Sequence, residues 1–183
     1  MRVPRTALLV LVASIALAQK ETFAPANDVS FTVATEHRSY RAGEQVVVNY
    51  EITNISNGGV YAPREWEAKC PASPHIWAWF ENSSGRHFIP GYAGDCFPSQ
   101  ETVAERMKKE SVLLKPGHRL RGHVLLETTL FGGLEPGGYR VEAVLHGWSD
   151  KDFTQEQQRK LQRMPAPFIR GEVPASTRIT LTH

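Results

Sequence analysis

Seven histidines, nineteen acidic residues and two cysteines are the groups through which this chain could ligate a metal or move protons. Their spacing points elsewhere. His118 and His123 stand five apart, which puts them on opposite faces of a strand, and His75, His87 and His146 fall in separate stretches. The sequence holds no HExxH, no two-His helical pair and no Cys-x-His, so zinc ligation has no linear signature. Asp150 and Asp152 follow Ser149 like the start of a calcium loop. The Gly and distal Glu that would help complete about six to eight oxygen ligands are missing, so these acids read as a cap before a helix. Glu65 and Glu67 bracket Trp66, and two carboxylates so spaced suit general acid–base work. Between Pro63 and Cys70 they read as solvated loop charges. No Gly-x-Ser-x-Gly elbow and no phosphate-cradling Gly loop occurs. No catalytic residue, metal ligand or cofactor site is expected.

Aromatic side chains offer binding rather than catalysis. Trp77 and Trp79 share one face of a strand, with Phe88 expected opposite Trp79 on the returning strand. Ile76, Ala78 and Phe80 line the other face. Both faces cannot enter one core, so Trp77, Trp79 and Phe88 are the candidate contact surface for a protein, peptide or glycan.

The setting comes from residues 1–18. Arg2 and Arg5 precede an apolar run of about a dozen residues, too short for the roughly twenty that span a bilayer. Ala16-Leu17-Ala18 then offers a small-x-small cleavage site. This is the pattern of a secretory signal peptide, and it predicts a secreted or periplasmic product with no membrane insertion after cleavage. Residues 19–28 read as a flexible segment and residues 29–183 as one domain. Arg2 and Arg5 account for two of 21 Lys and Arg, so the remaining nineteen balance the nineteen Asp and Glu. A neutral product has no global attraction to nucleic acid. In an oxidising compartment, Cys70 and Cys96 are expected to form one disulfide.

Strand signals dominate the rest. Residues 30–35 alternate, and residues 45–54 put Val46, Val48, Tyr50 and Ile52 on one face. Residues 76–81 and 86–89 form a hairpin around Asn82-Ser83-Ser84-Gly85. Pairing Glu81 with Arg86 brings Cys70 and Cys96 to nearly opposite positions at its open end. Residues 111–114, 120–126, 139–146 and 177–182 are further strands, and Lys115-Pro116-Gly117-His118 fits a type II turn. Thr102 with Glu105, and Thr154 with Gln157, have capping-box spacing and predict two short helices. The sum is an antiparallel Greek-key β-sandwich of about eight or nine strands. Tyr139, opening a strand after Pro136-Gly137-Gly138, is the candidate for a structural tyrosine corner.

Tyr40-Arg41-Ala42-Gly43-Glu44, the strand ending at Asn54, the turn at Gly85, Leu114-Lys115-Pro116-Gly117 and Leu134-x-Pro-Gly-x-Tyr139 together resemble bacterial Ig-like sandwich modules. Among these the chain is similar to the bacterial intracellular proteinase inhibitor family. That resemblance spans residues 30–145 and implies an Ig-like fold. The sequence thus leads to a non-catalytic binding or interaction module. The alternatives are a proteinase inhibitor using an exposed loop at residues 165–173, or an enzyme whose site no linear motif reveals.

Overall fold

The computed structural model describes residues 22–63, 75–88, 107, 109–129, 133–149, 151 and 153–183. The fold is an all-β sandwich. Its organising strand is the clearest alternation in the sequence, β4 (Gln45–Asn54), whose Val46, Val48, Tyr50 and Ile52 are buried while Gln45 and Asn49 face solvent. β4 pairs antiparallel with β2 (Val29–Thr35) on one side and β9 (Arg119–Glu127) on the other. Opposite lies a five-stranded sheet in the order β3 (Ser39–Arg41), β12 (Glu172–Thr182), β10 (Gly137–His146), β6 (Ile76–Asn82), β7 (His87–Phe88). Only the β3–β12 contact in it is parallel. Tyr139, Val141, Ala143 and Leu145 of β10 and Ile76, Ala78 and Phe80 of β6 meet the apolar face of β4 in the main core.

A third sheet runs β1 (Phe23–Ala24), β11 (Phe168–Ile169), β5 (Val60–Pro63), β8 (Ser111–Leu114). Its period of two divides it between two cores. Ala24, Val60, Ala62, Leu114 and Ile169 join the main core. Phe23, Phe168 and Tyr61 face a second cluster with Met107, Trp148, Phe153, Leu161 and Met164. Tyr61 and Phe168 stack with ring centroids 4.7 Å apart. Helix α1 (Gln155–Leu161) closes this cluster with its buried Leu161, and Thr154 and Gln157 form both bonds of the capping box.

Two sequence expectations need correction. Phe23 and Ala24, placed in a flexible segment at residues 19–28, form β1 and are buried, and Ala26–Asp28 is a turn of 3-10 helix. Residues 165–173, considered as an exposed loop, contain β11, whose Phe168 and Ile169 are fully buried. The cause is the same in both places. Two-residue strands carry no periodicity; tertiary pairing defines them. Phe168 N donates to Thr22 O, Arg170 N to Ala24 O, and Tyr61 N to Pro167 O, at 2.8–3.0 Å. Burying a Phe side chain contributes about 1.5–3 kcal/mol, enough to hold so short a ladder.

The turn at residues 115–118 forms as its sequence suggests, with Gly117 at φ 74° and His118 N donating to Lys115 O at 2.9 Å. The leader, Cys70 and Cys96, the Glu65/Glu67 pair, Asp150 and Asp152 lie outside the described residues, as does most of the helix expected from Thr102.

Candidate binding face

The hairpin of β6 and β7 decides which aromatics reach solvent. Asn82 stays on the ladder, its N–H donating to Arg86 O at 3.1 Å. Its side-chain oxygen accepts from Ser84 N, Ser84 Oγ and Arg86 N at 2.7–3.1 Å. Gly85 N donates back to Asn82 O at 3.0 Å with Gly85 at φ 77°, a left-handed position that glycine adopts without penalty. The loop therefore holds residues 83–85, a turn followed by a bulge. Glu81 pairs with His87, and Phe80 with Phe88.

That register is one residue from the one read in the sequence, and a one-residue slip moves a side chain to the other face. Phe88 is not opposite Trp79. It packs against the main core, 6.1 Å from the ring of Tyr139, which also meets Phe80 edge-on at 6.2 Å. Phe88 leaves the candidate surface. Trp77 and Trp79 face outward, half-buried, and belong to neither core. Trp79 Nε1 is a buried donor with no hydrogen-bond partner among the described residues.

The outer face of the sheet reads across strands in rows. Trp77 lies opposite Val144 and Trp79 opposite Glu142; Glu81 is opposite Arg140, which is in turn opposite Arg178. Arg140 Nη2 donates to both oxygens of Glu81 at 3.0 Å, and its Nε donates to Glu142. The hydrogen bond to Glu81, then the charges of Glu142 and Glu81, hold the Arg140 pKa above its ordinary value. Beside this row a depression of about 590 Å³ opens between Arg38, Glu81, Ser83, Arg140, Arg178 and Thr180. Tyr139 forms part of its wall. The Tyr139 hydroxyl donates to Glu135 O at 2.8 Å, the hydrogen bond of a tyrosine corner. Burial, then the Glu135 charge, raises the Tyr139 pKa, with that hydrogen bond in partial opposition.

The histidines are dispersed. His87 Nε2 is 3.4 Å from Glu81, and His146 Nδ1 is 3.2 Å from Glu172. His75 Nδ1 donates to His146 O at 3.1 Å, with Nε2 3.3 Å from Glu110. His118 and His123 are exposed. Among the described residues no three His, Cys, Asp or Glu side chains gather to hold a metal ion. No described helix is long and apolar enough to cross a membrane. The arginines of the depression escaped the sequence reading because Arg38, Arg140 and Arg178 come from separate segments with no shared spacing. The one available signal was that Arg140 and Arg178 both occupy outward positions of alternating strands.

No family model matches the chain, and no curated protein does. Among solved structures it is similar to a β-glucosidase of Erythrobacter marinus at 15% identity and TM-score 0.43, covering 84% of this chain and 15% of that one. It is also similar to the alkylpurine DNA glycosylase AlkC of Pseudomonas fluorescens at 8% identity and TM-score 0.39, covering 85% and 31%. A PapD-like domain of human CEP192 overlaps 97% of this chain and 94% of its own length, at 15% identity and TM-score 0.30. The chain thus spans only a minor part of the first two proteins, and likeness at these scores assigns no activity.

Proposed function

We propose that this chain is a non-catalytic binding module exported as a secreted or periplasmic protein, with residues 1–18 removed and Cys70 joined to Cys96. Its binding face is the outer surface of the five-stranded sheet, with Trp77 and Trp79 as the apolar anchors. One observation carries this reading. Two large indoles stand side by side on a sheet face and contribute to neither core. Tryptophan is costly to leave facing water and is enriched where partners bind. Within the 165–173 segment of the proteinase-inhibitor alternative, Phe168 and Ile169 are buried strand residues, which favours the sheet face over that segment as the contact surface.

The test is binding of the purified protein to an array of glycans and peptides, repeated with Trp77→Ala and Trp79→Ala. Leu125→Ala serves as control, because Leu125 is 50% exposed on β9, in the other sheet. The tryptophan variants are expected to lose the array signal and the control to keep it. Loss in the Leu125 variant alone would move the binding face to the opposite side.

A further inference from the structure

Arg140 and Arg178 are direct cross-strand partners on the outer face of the sheet. Like charges so placed repel, and a fold tolerates them when something neutralises the pair. Arg140 is neutralised within the chain by Glu81 and Glu142. Arg178 is not: it is exposed, and among the described residues its side chain makes no hydrogen bond or ion pair. The same holds for the side chain of Arg38. Arg38 is tied beside Arg178 through its carbonyl, which accepts from Thr180 N at 2.9 Å. Two uncommitted guanidiniums therefore border one depression of about 590 Å³. Guanidinium is the group best matched to carboxylate, sulfate and phosphate oxygens.

The remaining wall narrows the ligand. The backbone N–H and C=O groups of β10 are consumed by β6 and β12 on either side, so the floor offers no strand edge to an extended peptide. The side-chain groups that line it with hydrogen-bonding capacity are the hydroxyls of Ser83 and Thr180 and the Nδ2 of Asn82, whose oxygen is already taken by the turn. They suit a hydroxyl-rich chain better than a main chain with regularly spaced amides. From Glu81 at the depression, β6 leads along the same face to Trp79 and Trp77, whose rings can take the apolar face of a sugar. We propose that this depression binds an acidic oligosaccharide, with a carboxylate or sulfate of the sugar held by Arg38 and Arg178. This rests on the outer sheet face being the binding surface, and it supplies the chemistry of the ligand.

Calorimetric titration of the purified protein with a galacturonate tetramer tests it, alongside the methyl ester of that tetramer and a heparin tetrasaccharide. The expected result is binding of at least one of the two anionic sugars. The neutral ester should bind about tenfold more weakly or worse, the worth of a charged hydrogen bond. Arg38→Gln and Arg178→Gln should each weaken binding by a similar factor. Glu81→Gln, which releases Arg140 toward the ligand, should tighten it; a gain cannot arise from misfolding. Preference for galacturonate or heparin identifies the anion as carboxylate or sulfate. Equal binding of the ester, indifference to both arginine substitutions, or no binding of either acidic sugar overturns the proposal. So does tighter binding of a poly-glutamate peptide. If Trp79→Ala abolishes binding while both arginine variants bind normally, the anion assignment falls and the face survives. If neither set matters, both fall.

Discussion

The side chain of Asn54 donates from Nδ2 to the carbonyl of Leu114 at 2.9 Å, joining the end of β4 to the end of β8 in the third sheet. Asn54 is fully buried, and every polar atom of its side chain is used. Nδ2 also donates to Gly58 O at 2.7 Å, and Oδ1 accepts from Ser56 N and Ser56 Oγ at 2.9 and 2.8 Å. One amide thus fixes the turn after β4 and the sheet beside it.

Asn54→Ala leaves those carbonyls and the Ser56 donors without this partner. The expected loss is about 3 kcal/mol, since each buried group left unsatisfied costs about 1–3 kcal/mol. Urea denaturation at neutral pH measures it; a loss under 1 kcal/mol would show that water replaces the amide without penalty.

Gly147 follows the end of β10 and lies against the backbone where β11 passes into β12. A Cβ there would stand 2.6 Å from the backbone oxygen of Ile169, while Gly147 N donates to Gly171 O and Trp148 N to Ile169 O at 2.7 and 2.8 Å. Backbone cannot yield as a side chain does. Gly147→Ala should therefore destabilise by about 2–3 kcal/mol. Hydrogen exchange should speed up in β1 and β11 before it does in β4. Uniform acceleration would mean that the third sheet is not a separate weak point.

Tyr139→Phe removes the bond to Glu135 O at the cost of about 1 kcal/mol at pH 7. The folded state keeps the phenol neutral, so its folded pKa lies above its unfolded one. The stabilisation linked to that shift is full below the ordinary value of about 10 and is lost as pH rises through the folded pKa. As pH rises past the ordinary value of about 10, wild type should lose stability faster than the Phe variant. Parallel alkaline curves would contradict the assignment.

Glu51 makes the converse case. The hydrogen bond from Arg121 Nε at 2.7 Å, opposed by desolvation and aided by Arg119, holds its pKa below the ordinary value of 4.5. Its folded pKa is depressed, so its stabilisation is present above the unfolded value and fades as pH falls through the folded one. Arg121→Gln should lower Tm at pH 7 and leave it unchanged at about pH 2. Salt should shrink the difference, because Arg121 is 71% exposed. An equal difference at both pH values would place the effect of Arg121 in packing.

Long strands were legible because their alternation is local. β4 spans the residues that the sequence indicated, and so does β8. The Thr154 cap was equally readable, being a three-residue spacing. β1 and β11 were not, since two residues carry no period and their partners lie far away in the chain. The hairpin was legible as a hairpin but not in register, because that depended on whether Asn82 stayed on the ladder and Gly85 took the bulge. That one residue sent Phe88 into the core and parted it from Trp77 and Trp79, whose outward face is set by the alternation of β6. Arg178 acquired meaning only when β12 set it opposite Arg140.

Hydroxyl-radical footprinting of the protein, alone and saturated with whichever array ligand it binds, tests the binding face most directly. Protection on binding should fall on Trp77 and Trp79, with Leu125 and the exposed Ile55 labelled equally in both states. Protection centred on Leu125, or tryptophan labelling unchanged by the ligand, would contradict it.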